Sequence, residues 1–108
     1  MPFKVFLTAD AVGDLEEVYE YIAEHDATQK AEQVLARIER TFKGLSESPE
    51  RGSYPKELLT LGIREYRQIF FKPYKVIYRI MGDRAYVLLI ADGRRDMETL
   101  LQRRLLEA

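Results

Sequence analysis

The stretch "REYRQIFFKPYKVIYRIMGDRAYVLLIADGRRD", residues 64–96, decides the fold. It is dense in aromatic and β-branched residues, which favour pleated, half-buried backbone. Lys72-Pro73 interrupts it once, because proline cannot donate to a ladder. Gly82-Asp83 interrupts it again, as the two-residue signal of a hairpin. The segments 63–71, 74–80 and 85–91 are therefore expected to form three consecutive antiparallel strands. The third, "AYVLLIA", is apolar on both faces and belongs in the sheet interior. Strand alternation places Tyr74, Val76, Tyr78 and Ile80 on one face, suited to a helical layer, and Lys75, Ile77 and Arg79 on the other. In the preceding strand Arg64, Tyr66 and Gln68 share one face, and Glu65, Arg67 and Ile69 the other. Arg94 and Arg95 follow where the third strand leaves the sheet. With matching registers, Lys75, Arg79, Arg94 and one residue of 64–71 converge on a concave basic patch. The plainer reading is a solvated strand face, with Arg94 and Arg95 capping carbonyls or pairing with Asp92 and Asp96.

Working toward the N-terminus, "FKVFL" (3–7) reads as a first strand. Thr8 or Asp10 can cap a helix whose acidic first turn suits the helix dipole. Val12, Leu15, Val18 or Tyr19, and Ile22 recur at helical spacing, and Asp14, Glu16, Glu17, Glu20 and Glu24 fill its other faces. A second helix is expected from Asp26 or Thr28, with Asp26 and Gln29 resembling a capping box. Its stripe is Ala31, Val34 or Leu35, Ile38, Phe42 and Leu45. "SESPERGSYP" ends it, since Pro49, Gly52 and Pro55 resist helix. Two amphipathic helices this closely joined should pack as an antiparallel hairpin. After the strands a final helix is expected from Arg95 or Asp96. The order is β-α-α-β-β-β-α, an α+β fold in which a helical hairpin packs on a mainly antiparallel four-stranded sheet, with a C-terminal helix. Residues 1–108 are read as one domain.

The net charge of −1 conceals a division. Residues 1–63 carry −5 and residues 64–104 carry +5, so a locally basic surface is expected on the C-terminal half. Cysteine is absent, which removes disulfides, thiol nucleophiles and thiolate metal sites. The single histidine, His25, falls between two helices as a turn residue. No metal site and no cofactor are expected. No apolar run approaches the roughly 20 residues of a membrane span, and "MPFKVFLTAD" does not have the form of a signal peptide. A cytoplasmic protein is expected. Glu57, in "YPKELL", is the one carboxylate considered near the basic patch, and otherwise a loop residue. The closing segment offers Leu100, Leu101, Leu105 and Leu106, either docked on the domain or forming a groove that a partner's helix or strand completes.

The element order, "REYRQIFFKPYKVIYRI", the apolar strand and "DGRRDMETLLQRRL" together resemble the RelE/ParE superfamily of toxins from bacterial type II toxin–antitoxin modules. The likeness is strongest from Tyr74 to Arg104, and closer to the ParE-like than to the RelE-like branch. It implies a plasmid-stabilising toxin, held inactive in a hetero-oligomer with a cognate antitoxin. ParE-like members arrest growth by poisoning DNA gyrase; RelE-like members cut messenger RNA on the ribosome. The resemblance sets Lys75 and Arg94 where the RNA-cutting branch has cations near the scissile phosphate. Glu57 or Tyr66 would then carry protons. Leu100 or a neighbour stands where that branch commonly has tyrosine or histidine, and leucine cannot transfer a proton. On the gyrase reading, Arg79, Arg94, Arg95, Leu100, Leu101, Arg104 and Leu105 would contact target or antitoxin. A non-toxic relative that keeps only the antitoxin-docking surface is the third alternative.

Overall fold

The computed structural model describes residues 3–106; the four terminal positions of the expected 1–108 domain lie outside them. The elements are β1 (Lys4–Leu7), α1 (Ala9–His25), α2 (Thr28–Lys43), α3 (Lys56–Leu59), β2 (Arg67–Phe71), β3 (Tyr74–Met81), β4 (Arg84–Asp92) and α4 (Met97–Leu101). A 3₁₀ turn (Gly44–Ser46) extends α2, and a π-helical turn (Gln102–Leu106) extends α4. The sheet order is β1-β4-β3-β2. β2, β3 and β4 are antiparallel neighbours, and β1 joins β4 in parallel. The expected order and α+β class therefore hold, with β4 in the interior.

Local chemistry explains the boundaries. The Thr8 hydroxyl accepts from the Ala11 N–H and starts α1. The capping box expected at Asp26 does not form: Ala27 occupies the cap of α2, with no side-chain bond. Asp96 caps α4 by accepting from the Thr99 N–H at 3.1 Å, and the Thr99 hydroxyl donates back to it at 2.8 Å. Two further expectations are corrected. Residues 63–66 are not strand, so β2 starts at Arg67, and the loop after Pro55 folds into α3, which carries Glu57 on a helix.

Two apolar cores lie on opposite faces of the sheet. The helical hairpin covers one, where Ala11, Ile38, Phe42, Ile69, Val76, Tyr78, Val87 and Ile90 pack together. The C-terminal helix covers the other, with Leu58, Tyr66, Ile77, Leu89, Ala91, Met97 and Leu101. A register shift between Ile77 and Tyr78 changes the parity of β4. Val87 and Ile90, three residues apart, consequently face the same core, as a one-residue bulge requires.

Tyr78 is wholly buried beneath the loop that follows α2. Its hydroxyl donates to the Pro49 carbonyl at 2.6 Å and accepts from the Gly52 N–H at 3.1 Å. A Cβ at Gly52 would stand 2.6 Å from that hydroxyl and 2.8 Å from the Gln68 carbonyl, so only glycine fits. The Arg67 guanidinium clamps the same loop through the Glu50 and Gly52 carbonyls at 3.1 and 2.9 Å. This polar anchorage aligns β2 and the loop in front of it.

Candidate functional site

β4 has nine residues and β1 only four, so β1 ends against Val87 and leaves the rest of that edge of β4 without a strand partner among the described residues. Unpaired backbone groups inside a protein need other partners. Two side chains supply them. Asp14, from α1, accepts from the Ile90 N–H at 2.9 Å. Arg104, from the C-terminal turn, donates to the Leu88 carbonyl at 2.7 Å. The same guanidinium grips Asp14 through two bonds, at 2.8 and 2.9 Å, and its Nε lies 3.8 Å from Asp10. Asp14 is only 9% exposed, although an acidic helix exterior was expected there. This bidentate pair ties α1, β4 and the chain's last turn together.

Beyond Ile90 the edge opens into a cleft of about 380 Å³. Val18 and Tyr21 of α1, Tyr74 of β3, and Arg94 and Arg95 are among its walls. Arg94 folds back on Asp92: its Nε lies 2.9 Å from one carboxylate oxygen and its Nη2 2.5 Å from the other. The Asp92 carboxylate also accepts from the Arg94 N–H at 2.9 Å. Those bonds from Arg94 hold the Asp92 carboxyl below its ordinary range. Burial, and then the nearby Asp92 charge, push the Tyr74 hydroxyl above its ordinary value. Arg94 remains 80% exposed, and Arg95 makes no ion pair among the described residues.

The expected convergence of cations into one patch does not occur. Lys75 and Arg79 project from the sheet face opposite the hairpin, sharing it with Ile77, whereas Asp92 lies across from Tyr74 on the hairpin side and carries Arg94 with it. The Lys75 ammonium sits 5.7 Å above the Phe70 ring, and its stem runs along Gly93, where a Cβ would come within 3.0 Å of it. Arg79 lies 3.5 Å from Glu65 and over the Tyr66 ring at 5.8 Å. Glu57 opens into a separate groove of about 280 Å³ with Glu98 and Gln102, and none of Lys75, Arg79 or Arg94 lines it. Leu101 is buried against the sheet and Arg104 is held by Asp14, so neither side chain is free at the surface. Leu100 and Leu105 are half-buried beside Leu101, and Leu106 is exposed. Among the described residues no three histidine, aspartate or glutamate side chains cluster as metal ligands. No described helix is long and apolar enough to cross a membrane.

Asp14, Tyr21 and Tyr74 are site residues that sequence reasoning missed. Asp14 carries no local signal, since it stands in a run of acidic helix residues and only the end of β1 reveals what it must satisfy.

Comparison with known proteins agrees with this architecture. Residues 5–97 match the family model described as ParE toxin of type II toxin-antitoxin system, parDE. Toxin ParE3 of Caulobacter vibrioides is 33% identical over 98 residues, covering 91% of this chain and 94% of that protein. Among solved structures, a chain of the chromosomal ParDE system from P. aeruginosa superposes with a TM-score of 0.71 at 20% identity, covering 83% of this chain and 95% of that one. A chain of the RelBE2 toxin-antitoxin complex from Mycobacterium tuberculosis gives 0.62 at 21% identity, covering 85% and 99%. At those identities the structures speak for the fold, and the sequence match over most of the chain speaks for the family. The chain belongs to the ParE toxin family of type II toxin–antitoxin systems.

Proposed function

We propose that this toxin is neutralised by a cognate antitoxin and, when released, arrests growth by inhibiting DNA gyrase without cutting RNA. The observation that carries this reading is the dispersal of the candidate catalytic groups. Phosphodiester transesterification needs a base for the 2′-hydroxyl, an acid for the leaving oxygen and cations on the phosphate, all within reach of one atom. Here Lys75 lies on Phe70, Arg94 on Asp92 across the sheet, Glu57 opens into a different groove, and Tyr66 packs into the apolar core with Arg79 over its ring. Among the described residues, those of α4 and its π turn that pack on the sheet are apolar apart from Arg104, so none of them offers a proton carrier on the Lys75 face. Two of the solved neighbours are a ParDE system and a RelBE2 toxin-antitoxin complex, which supports an antitoxin as the partner.

Controlled induction in a susceptible bacterium tests the proposal, with chromosome breaks and transcript 5′ ends measured in the same cultures. Growth arrest with DNA damage, and loss of supercoiling activity when purified chain is added to gyrase, is the expected outcome. New codon-linked transcript ends with intact chromosomes would overturn it in favour of ribosome-dependent cleavage. Unimpaired growth with a partner still co-purifying would leave only antitoxin binding.

A further inference from the structure

One carboxylate oxygen of Glu57, Oε1, is shielded from solvent and has no hydrogen-bond partner among the described residues. A buried acceptor without a donor is costly, and native chains rarely keep one without a use for it. Glu57 lines the groove of about 280 Å³ between α3 and the C-terminal helical segment. Leu58 and Leu101, both buried, line it too, as do Leu61 and Leu106, which are 63% and 44% exposed. The remaining lining is Glu98 and Gln102, so every charge in the groove is negative. The cations nearest in sequence, Lys56 and Arg103, are exposed and outside the lining, and neither pairs with Glu57 or Glu98 among the described residues. Leu58 and Leu101 belong to the core under the C-terminal helix, so the groove lies across the sheet from the hairpin.

From this arrangement we infer that the groove takes an arginine side chain from the protein that the toxin inhibits. The inference rests on the gyrase reading above and deepens it, by giving the target contact a place and a chemistry. The guanidinium would donate to Glu57 Oε1 and carry a second bond toward Glu98. Arginine suits this better than lysine, because its planar fork offers several donors and its charge is more weakly hydrated. The aliphatic stem would lie along Leu58 and Leu101. Apolar neighbours on the same segment would cover Leu61 and Leu106, much as a partner helix fills a groove. A toxin that works by contact needs an exposed apolar surface with a polar group that fixes the register, and this groove supplies both.

The test has two arms. In the first, n-butylguanidinium is titrated into the full chain, with n-butanol as the uncharged control, while NMR follows the Glu57 carboxyl and the Leu61 and Leu106 methyls. Saturable shifts at all three with the cation, and none with the alcohol, are expected; signals that do not move would overturn the site. In the second arm, Glu57→Gln and Leu61→Ser are each expected to raise the concentration of chain that inhibits gyrase supercoiling by roughly tenfold. Their urea midpoints and antitoxin affinity are expected to stay at wild-type values. Wild-type inhibition by both variants would overturn the target's use of the groove. Unchanged inhibition with weakened antitoxin binding would also overturn it, by giving the arginine to the antitoxin. A wild-type chain that leaves gyrase active would remove the gyrase reading, and this assignment of the arginine with it, while the first arm still reports whether the groove binds the cation.

Discussion

Two arginine–aspartate pairs flank the same stretch of β4, and they do different work. Arg104 and Asp14 meet in a largely buried setting, 90 positions apart in sequence, and between them satisfy two backbone groups of the sheet. Arg94 and Asp92 are two positions apart at the surface, with Arg94 mostly in solvent. The chemistry is identical and the surroundings are not. A buried carboxylate that loses its cation keeps its desolvation cost, so the first pair is structural. A solvated pair can be broken by a competing carboxylate at little cost, so the second is available to a partner.

The strongest way to break the comparison is at the buried pair. Arg104→Met should destabilise the chain by about 3–5 kcal/mol, as expected for stranding a buried charge. Urea denaturation checks this, and Asp14→Asn combined with Arg104→Met should cost less than the sum of the single changes. An unchanged midpoint would mean the last turn is not held by this contact.

Tyr78 asks whether burial alone, without charge, produces a large cost. Tyr78→Phe strands the Gly52 N–H and the Pro49 carbonyl, for an expected loss of about 1–3 kcal/mol. Gly52→Ala should be at least as damaging, because no side chain fits there. Burial raises the Tyr78 hydroxyl above its ordinary value, with the Gly52 N–H bond partly opposing. The unfolded chain therefore loses this proton first. Its contribution to stability is intact below about pH 10 and declines as pH rises from there toward the folded value. Tyr78→Phe should flatten that alkaline decline, which thermal melts across pH 9–11, roughly spanning the ordinary tyrosine range, would register.

The surface pair should respond least in stability and most in binding. Arg94→Ala should leave the urea midpoint where it is, while the salt dependence of antitoxin binding becomes shallower. Acid supplies a final and smaller effect. Because Asp92 titrates below its unfolded value, its small contribution is present above about pH 4 and fades as pH falls through the folded value. Arg94→Ala should remove that dependence, seen directly by following the Asp92 carboxyl in an NMR titration.

Much of the fold was legible because its signals are local. Pro73 and the Gly82-Asp83 pair mark the turns, and Val76, Tyr78 and Ile80 alternate toward the hairpin as the pattern requires. The start of β2 was misplaced because "IREY" has strand-like composition but no strand neighbour until Arg67. The site was far less legible. Lys75 and Arg94 looked convergent when the strands were treated as regular ladders, yet they come from opposite faces at the end of the sheet. Arg104 looked like a surface cation, as any arginine in "LLQRRLL" would. Nothing in its neighbours in sequence reports that a carbonyl in β4 lacks a partner.

Periodicity, turn residues and the apolar strand were enough to determine the element order, the hairpin layer, the interior position of β4 and the family likeness, since each depends on residues a few positions apart. Tertiary structure alone decided that β1 stops short, that β4 carries a bulge, and that Asp14 and Arg104 fill the edge left open. Those outcomes depend on which backbone groups remain unsatisfied after the strands pair, a condition that exists only once distant segments are brought together.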